Sequence, residues 1–125
     1  MSNGDKSRIL VVDDNLTNLK LACDVLEWAG YEVAAARDAE EAVEIIAQSP
    51  PALILMDIGL PGMDGLTLTR QLKAAEATRQ IRVIALTAFA MKGDEERIRE
   101  GGCEAYLSKP ISVGKFIETV RRFIG

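Results

Sequence analysis

Five short apolar runs recur along the chain, and they constrain its fold more than any other feature. They are rich in β-branched or aliphatic residues and cover residues 9–12, 33–36, 53–56, 83–86 and, more weakly, 105–107. The runs are apolar on successive residues and do not alternate with polar ones, which is typical of strands covered on both faces. The sequence therefore predicts a parallel sheet with helices on both sides.

The segment between the first two runs has the spacing of an amphipathic helix. Gly30 follows it as a typical C-terminal stop. Its predicted buried stripe consists of Leu16, Leu19, Cys23, Leu26 and Ala29.

A second helix is predicted by a capping-box pattern in which Asp38 precedes Glu41 by three residues. The double proline at residues 50–51 ends it. Its predicted apolar face consists of Ala42, Val43 and Ile46.

Three further helices complete the alternation of strands and helices. The third begins near residue 64 or 65, the fourth covers residues 94–100, and the last begins near Ser112. The fourth offers only Ile98 as a large buried group before two glycines, so we expect it to be the least anchored. The predicted buried residues of the other two are Leu66, Leu72 and Ala75 in the third helix and Phe116, Val120, Phe123 and Ile124 in the last.

Five strands alternating with five helices imply an open, doubly wound α/β sheet with right-handed crossovers. In the flavodoxin-like strand order 2-1-3-4-5, the second strand is an edge, and strands one and three meet at the topological switch point. A chain of 125 residues and 13.6 kDa suits one such domain. We therefore expect a single domain over residues 1–125 with no output domain after the last helix.

The amino-acid composition and net charge exclude several classes of function. The chain has no histidine, which removes histidine acid–base chemistry, Ser-His and Cys-His nucleophiles and histidine-ligated zinc. A net charge of -4 and a pI near 4.9 argue against nucleic acid or an anionic membrane as the main partner. Cys23 and Cys103 have no CxxC spacing, and no apolar signal segment precedes the first strand, so we expect a cytoplasmic protein. The cysteines, methionines and most aromatic residues are expected in the core.

Polar side chains follow four of the five apolar runs at the point where each predicted strand ends. The second run leads only into Arg37, and that run is the predicted edge strand. Because the carboxyl ends of parallel strands share one edge of the sheet, the other groups should converge in a shallow cleft. These groups are Asp13 and Asp14 after the first run, Asp57 after the third, Thr87 after the fourth, and Ser108 and Lys109 after the fifth.

Three neighbouring carboxylates repel one another, and a divalent cation neutralises them. Their hard oxygen ligands suit Mg²⁺, which also leaves room for a phosphate oxygen. A carboxylate can attack a phosphoryl group to form an aspartyl phosphate when a metal and an ammonium neutralise the transferring oxygens. Asp57, on the central strand, is the candidate acceptor, with Thr87 and Lys109 placed to hold phosphoryl oxygens.

Simpler interpretations exist for each of these residues. Asp13 and Asp14 precede a helix and could cap it, Asp57 could be a turn residue, and a lone lysine is usually solvated. Tyr106 could pack at the edge of the sheet with its hydroxyl in water. The glycine-rich segment of residues 59–65 has the proline and glycine placement of a type II turn and lacks a phosphate-binding GK[ST] motif.

Two other functional classes share parts of this pattern. A phosphatase of the haloacid dehalogenase type also uses an aspartate nucleophile, but it needs a second acid where Gly59 stands. A flavodoxin-like binding module needs a phosphate-gripping loop after the first strand, where this chain has Asp13 and Asp14.

The segments VVDDN, LILMDIGLPGMDG, IALTA and YLSKP resemble those of the receiver domains of bacterial two-component response regulators, which have a CheY-like fold, over residues 8–124. The resemblance implies that Asp57 accepts a phosphoryl group. It implies Mg²⁺ held by Asp14, Asp57 and the Gly59 carbonyl, with Asp13 acting mostly through water. The implied phosphoryl contacts come from Thr87, the Ala88 backbone amide and Lys109, which precedes a cis bond to Pro110.

A narrower resemblance, over residues 87–112, is to single-domain regulators of the DivK type. Because the chain has no histidine of its own, we expect a histidine kinase or phosphotransfer protein upstream. We also expect a protein target downstream and a monomer or weak dimer. The wider receiver-domain resemblance implies docking through the first helix and the loop after the fifth strand. The implied docking residues are Asn15, Leu16, Asn18 and Leu19. Thr87 and Tyr106 would act as the switch.

One position departs from the family pattern. Two residues after Asp57, where the family usually has a side chain, this chain has Gly59. A carbonyl can still bind the metal, but the phosphoryl group loses a shield, which Phe89 could supply instead. A receiver that signals without phosphate is a further alternative.

Overall fold

The computed structural model of the protein describes residues 8–59, 65–87, 92–109 and 111–124, without the side chains of 92–94. Strands and helices alternate throughout these ranges. The strands are β1 (Arg8–Val12), β2 (Glu32–Ala36), β3 (Leu53–Asp57), β4 (Arg82–Thr87) and β5 (Ala105–Ser108). The helices are α1 (Leu16–Trp28), α2 (Ala39–Gln48), α3 (Gly65–Ala74), α4 (Lys92–Glu100) and α5 (Val113–Ile124).

All neighbouring strands pair in parallel, in the order β2-β1-β3-β4-β5. This confirms the flavodoxin-like order and the edge position of β2. The register pairs Asp57 with Leu86, and it pairs Thr87 with Ser108 at the same end of the sheet. The carboxyl ends of β3, β4 and β5 therefore lie side by side.

The core forms two layers, one on each face of the sheet. Successive residues of β3 enter different layers, with Leu53 and Leu55 on one face and Ile54 and Met56 on the other. The first layer is covered by α1 and α5, and the second by α2, α3 and α4. Two covered faces explain why the strand sequences are continuously apolar.

The local signals at the helix ends act as the sequence predicts. Gly30 has a φ of 101°, a left-handed conformation that favours glycine, and it ends α1. The Asp38 side chain caps α2 by accepting a hydrogen bond of 2.8 Å from the Glu41 backbone N–H. The Glu41 carboxylate in turn accepts from the N–H of Arg37. The structure describes the α4 side chains of residues 95–100, and of these only Ile98 is buried.

Three predicted core positions are wrong. The buried residues of α1 are centred on Leu19, Ala22 and Leu26, so Leu16 at the start of the helix lies to one side and is 62% exposed. Val43 lies beside the buried stripe of α2 in the same way. Ala75 is exposed because α3 ends one residue before it.

Trp28 is an exception to the expectation that most aromatic residues lie in the core. It is the last residue of α1, on the side away from the buried stripe, and it is 82% exposed. Of the cysteines, Cys103 is buried and Cys23 is half-buried against the core. Among the described helices, none is both long and apolar enough to span a bilayer.

Candidate functional site

The ends of three strands deliver charged side chains to one place. Asp13 follows β1, Asp57 ends β3, and Lys109 follows β5. The Lys109 Nζ lies 3.0 Å from Oδ2 of Asp13 and 3.1 Å from Oδ2 of Asp57. The convergence predicted from the sequence is therefore present, and Lys109 is not a solvated surface lysine.

Three carboxylates form a compact cluster beside this lysine. One oxygen from each of Asp13, Asp14 and Asp57 lies within 4.8 Å of the others. Asp13 is 1% exposed and Asp57 is 6% exposed, whereas Asp14 is exposed to solvent. The cluster is thus buried on the sheet side and open to solvent at Asp14.

Backbone N–H groups orient the two buried carboxylates. The Asn15 N–H donates to Oδ1 of Asp13 at 2.9 Å, and the Gly59 N–H donates to Oδ1 of Asp57 at 2.9 Å. In both cases the Oδ2 atom faces Lys109. Each carboxylate is therefore held by one backbone donor and one ammonium, which fixes its rotamer.

Burial and charge have opposite effects on the two sides of this ion pair. Burial raises the pKa of Asp13, and the Asn15 N–H and Lys109 only partly offset it, while the nearby charge of Asp57 adds to the rise. Burial alone would lower the pKa of Lys109, but its hydrogen bonds to Asp13 and Asp57 outweigh that effect and raise the pKa. Lys109 therefore carries its positive charge at neutral pH.

The donor set fits a hard divalent cation. One ammonium faces three carboxylates, so the cluster retains an excess of negative charge. Carboxylate oxygens at this spacing are the ligands that Mg²⁺ prefers, and the exposed Asp14 leaves a side from which hydrated Mg²⁺ can enter. No histidine or thiolate lies in the cluster that would favour zinc.

A glycine places the turn after β3 directly beside Asp57. A Cβ atom added at Gly59 would lie 3.5 Å from Oδ1 of Asp57, an ordinary contact distance. A larger residue therefore has room here and would cover the carboxylate. Gly59 leaves that side of Asp57 without a side chain.

Thr87 ends β4 one residue beyond Leu86, the pairing partner of Asp57. It is buried, and its carbonyl accepts a hydrogen bond of 2.8 Å from the Lys109 backbone N–H. Thr87 thus lies on the strand between the candidate acceptor and the lysine. The predicted contacts at Ala88, Phe89 and Pro110, and the predicted turn of residues 60–63, lie outside the described residues.

The predicted docking residues divide between surface and core. Asn15 caps α1 by accepting a hydrogen bond of 3.0 Å from the Asn18 N–H, and it is exposed. Leu16 is exposed and Asn18 is half-buried beside it. Leu19 is 8% exposed and packs in the core, so the interpretation as a core residue accounts for it.

Tyr106 has an acidic neighbour that the sequence analysis missed. Its half-buried ring packs against the core layer that contains Ile98, and its hydroxyl lies 3.5 Å from Oε2 of Glu95. Glu95 also forms an ion pair of 3.1 Å with Arg99 on the next turn of α4. The only local signal for Glu95 is that four-residue spacing to Arg99, which predicts an ordinary surface pair.

Comparisons with known proteins agree on one family. A sequence profile for the response regulator receiver domain matches residues 9–121. The polar-differentiation response regulator DivK of Brucella ovis is 55% identical over 117 residues, which cover 94% of this chain and 95% of that protein.

Two solved receiver domains are similar to this chain in fold. The receiver domain of a sensor histidine kinase from Pseudomonas aeruginosa, solved with a magnesium ion coordinated in its active-site cleft, matches with a TM-score of 0.87 and 36% identity over 96% of this chain and 98% of that one. A CheY-like response regulator receiver domain protein from Methanospirillum hungatei matches with a TM-score of 0.85 and 30% identity over 94% and 92%.

Proposed function

The chain belongs to the response regulator receiver domain family, and we propose that it is a single-domain regulator that accepts a phosphoryl group on Asp57 in a magnesium-dependent reaction. The observation that carries this proposal is the cluster of Asp13, Asp14 and Asp57 beside the Lys109 ammonium. An acidic trio and a lone ammonium are the groups that phosphoryl transfer to a carboxylate requires.

In the proposed reaction, a carboxylate oxygen of Asp57 attacks the phosphorus of a phosphohistidine on a histidine kinase or phosphotransfer protein. The phosphorus–nitrogen bond breaks, and its electron pair stays on the imidazole nitrogen. The product is an acyl phosphate on Asp57. Water later hydrolyses it, which restores the carboxylate and releases inorganic phosphate.

Lys109 would neutralise negative charge on the transferring oxygens. Its ammonium already lies 3.1 Å from Asp57, so little movement separates it from a phosphoryl group formed there. The Thr87 hydroxyl and the Ala88 backbone amide would hold the other phosphoryl oxygens, as the family resemblance implies. These groups act mainly by positioning and charge stabilisation.

Asp13, Asp14, Asp57 and the Gly59 carbonyl would hold Mg²⁺, with Asp13 acting mostly through water. The 4.8 Å spacing of the carboxylate oxygens supports this assignment, as does the magnesium ion in the Pseudomonas aeruginosa relative. When bound, the ion neutralises charge on the attacking carboxylate and on the phosphoryl oxygens.

The signal would leave the domain through protein contacts rather than through enzymatic turnover. A phosphoryl group adds about two negative charges and strong acceptors, which would draw the Thr87 hydroxyl inward. Tyr106 would then leave Glu95 and fill the vacated space, and α4 would shift. The changed surface would bind a downstream protein in the cytoplasm, while Asn15, Leu16 and Asn18 would contact the phosphate donor.

The family membership argues against the two other classes considered above. A haloacid dehalogenase-type phosphatase and a flavodoxin-like binding module belong to different families. Gly59 stands where such a phosphatase needs a second acid, and Asp13 and Asp14 stand where such a module needs a phosphate-binding loop. A receiver that signals without phosphate is still a distinct hypothesis. It predicts that Asp57→Asn leaves partner binding unaffected.

The direct test is incubation with Mg²⁺ and a small acyl phosphate, followed by mass mapping of the modified residue. We expect one phosphoryl group on the peptide that contains Asp57, and none after Asp57→Asn or after chelation of Mg²⁺. Asp38→Asn is a matched control, because Asp38 is an exposed aspartate whose capping role asparagine can take over. Modification of another residue in the wild-type protein would contradict the proposal.

A further inference from the structure

Lys109 reaches the acidic cluster from the end of a short edge strand. β5 has four residues, and its neighbour in the sheet is β4. Of its four side chains only Leu107 is buried. Such a strand has few side-chain contacts that fix its register, yet a slip of two residues along β4 would move Lys109 by about 7 Å. The position of Lys109 therefore depends on what holds β5 in place.

Glu104, the residue before β5, binds both backbone groups of Val83 on β4. The Glu104 N–H donates to the Val83 carbonyl oxygen at 2.9 Å, and Oε2 of the Glu104 carboxylate accepts from the Val83 N–H at 2.6 Å. Val83 lies directly before Ile84, the first residue of β4 that pairs with β5. Glu104 therefore extends the pairing of β4 and β5 by one residue through its side chain.

Lys73 on α3 holds the other oxygen of this carboxylate. The Lys73 Nζ lies 2.7 Å from Oε1 of Glu104, and it also donates to the Ile81 carbonyl oxygen at 2.6 Å. The side chains of Lys73 and Glu104 are only 21% and 29% exposed, so water screens this pair less than a fully exposed one. Both oxygens of Glu104 are thus fixed, which orients the one that binds Val83.

Gly102 allows Lys73 to reach Glu104. Its φ of 102° lies in the left-handed region, and a Cβ atom at this position would lie 2.8 Å from Cγ of Lys73. The lysine stem therefore packs directly on the backbone that leads into β5. The element before Gly102 is α4, which is weakly anchored, so Glu104 and the buried Cys103 fix the start of β5.

We propose that Glu104 is a positioning residue for Lys109. Its carboxylate, held by Lys73, sets the register of β5 on β4, and this register keeps the Lys109 ammonium 3.1 Å from Asp57. At the other end of β5, the Lys109 N–H donates to the Thr87 carbonyl oxygen at 2.8 Å. The strand is thus fixed at both ends. The inference rests on the proposed function, because it takes Lys109 to act in phosphoryl uptake.

Glu104→Ala removes this anchor, and Glu32→Ala is its matched control. Glu32 is also a carboxylate at the start of an edge strand, where it pairs with Arg8 of β1 at 2.6 Å. None of the residues of the acidic cluster lies on its strand, β2. With an acyl phosphate and saturating Mg²⁺, Glu104→Ala should be phosphorylated at least about fivefold more slowly than the wild type, and Glu32→Ala within about twofold of it.

Mg²⁺ affinity distinguishes a displaced lysine from a fold that is only less stable. If Glu104→Ala moves Lys109 away from the carboxylates, Mg²⁺ should bind about two- to fivefold more tightly in calorimetric titration, as we expect in kind for Lys109→Gln. A general loss of structure would weaken Mg²⁺ binding instead. Added to Lys109→Gln, Glu104→Ala should change the affinity and the rate by less than about twofold, because it acts through Lys109.

Lys73→Met is the second variant if Glu104→Ala does not fold, which circular dichroism establishes first. It keeps an apolar stem over Gly102 and removes the ammonium that holds Glu104. Phosphorylation and Mg²⁺ affinity should change in the same directions as in Glu104→Ala and by smaller factors. Lys73→Arg keeps a cation that can donate to Glu104, and it should retain the wild-type values.

Three results would overturn the proposal. One is that Glu104→Ala and Lys73→Met match Glu32→Ala in rate and in Mg²⁺ affinity. Another is a change in Mg²⁺ affinity opposite in direction to that of Lys109→Gln. The third is a further loss of rate when Glu104→Ala is added to Lys109→Gln. A wild-type protein that gains no phosphoryl group would contradict the proposed function instead, and the Mg²⁺ titrations would still test the position of Lys109.

Discussion

The Nζ atom of Lys109 lies 3.1 Å from Oδ2 of Asp57 and joins the last strand to the central one. The same atom lies 3.0 Å from Asp13, so one ammonium partly neutralises two buried carboxylates. The carboxylates that attract the Lys109 ammonium would therefore also attract a metal cation. Its removal should affect metal binding and phosphoryl uptake in opposite directions.

Lys109→Gln tests this opposition. Removing the ammonium leaves the acidic cluster more negative, so Mg²⁺ should bind about three- to tenfold more tightly, as measured by calorimetric titration. Phosphorylation by an acyl phosphate should slow by at least about tenfold, because the charge that stabilises the transferring oxygens is lost. Lys20→Gln, at an exposed lysine of α1, is the control for a change in net charge.

Weaker Mg²⁺ binding in Lys109→Gln would contradict the first expectation. It would show that Lys109 holds the carboxylates in position for the metal, and that this effect outweighs its competition with Mg²⁺ for their charge. Unchanged phosphorylation would contradict its proposed role at the phosphoryl group.

Much of this site follows from the sequence by a single physical step. Once the apolar runs are interpreted as parallel strands, their carboxyl ends must share one edge, and Asp13, Asp57 and Lys109 are brought together by topology alone. The parallel order, the capping of α2 by Asp38 and the left-handed Gly30 follow from equally local rules.

The features that the sequence could not predict depend on how helices are rotated and on contacts between distant elements. Leu16 and Trp28 are apolar residues at helical spacing, and only the orientation of α1 on the sheet shows that they are exposed. The Tyr106–Glu95 contact and the 2.7 Å ion pair between Lys73 and Glu104 join separate elements through long side chains. No local pattern specifies such pairs.

Gly59→Asn tests whether the bare position beside Asp57 shortens the lifetime of the phosphoryl group. The space that a Cβ atom would enter is open, at 3.5 Å from Oδ1 of Asp57, so the fold should tolerate the change. We expect the acyl phosphate to decay several-fold more slowly, because the side chain hinders approach of water. The measurement is the loss of the phosphorylated mass with time.

Mg²⁺ affinity should persist in Gly59→Asn, since a backbone carbonyl is the proposed ligand at that position. An unchanged decay rate would count against shielding as the role of this position.

Gly65 packs closely against the end of β3 that carries Asp57, and a side chain at this position should destabilise the fold. A Cβ atom there would lie 2.8 Å from Cγ of Met56 and 2.9 Å from Cα of Ile58, and it would also overlap the Asp57 carbonyl oxygen. Gly65→Ala should therefore lower the free energy of unfolding by about 1–3 kcal/mol or more. Urea unfolding followed by circular dichroism measures this change.

Gly114→Ala is the matched control, because no atom lies within 4 Å of the added Cβ in α5. That change should stabilise the protein by about 0.5–1 kcal/mol through helix propensity. Equal effects of the two substitutions would contradict the close packing described at Gly65.

Cys103 should react slowly with thiol reagents at neutral pH. Burial raises its pKa from 9.0 to about 11, although a hydrogen bond with Thr69 opposes the rise. The thiolate fraction at pH 8 is then about 100-fold lower than for an ordinary thiol, and the reaction rate should increase with pH up to about 11. Cys23→Ser, which leaves Cys103 as the only thiol, isolates this rate in a colorimetric disulfide-exchange assay.

The same shift has a defined effect on stability. The buried thiol prefers its protonated form, so its contribution to the free energy of unfolding is complete below pH 9 and is lost as the pH rises toward about 11. A native rate at pH 8 that matches the rate in denaturant would contradict the burial of Cys103.

The central claim is that Asp57 is the residue that receives the phosphoryl group. The most direct measurement is the position of the added mass after brief incubation with Mg²⁺ and an acyl phosphate, with Asp57→Asn and Asp38→Asn treated in parallel. We predict a single added phosphoryl group at residue 57, retained in Asp38→Asn and absent in Asp57→Asn. A wild-type protein that gains no phosphoryl group, or an Asp57→Asn protein that gains one at the wild-type rate, would contradict this account.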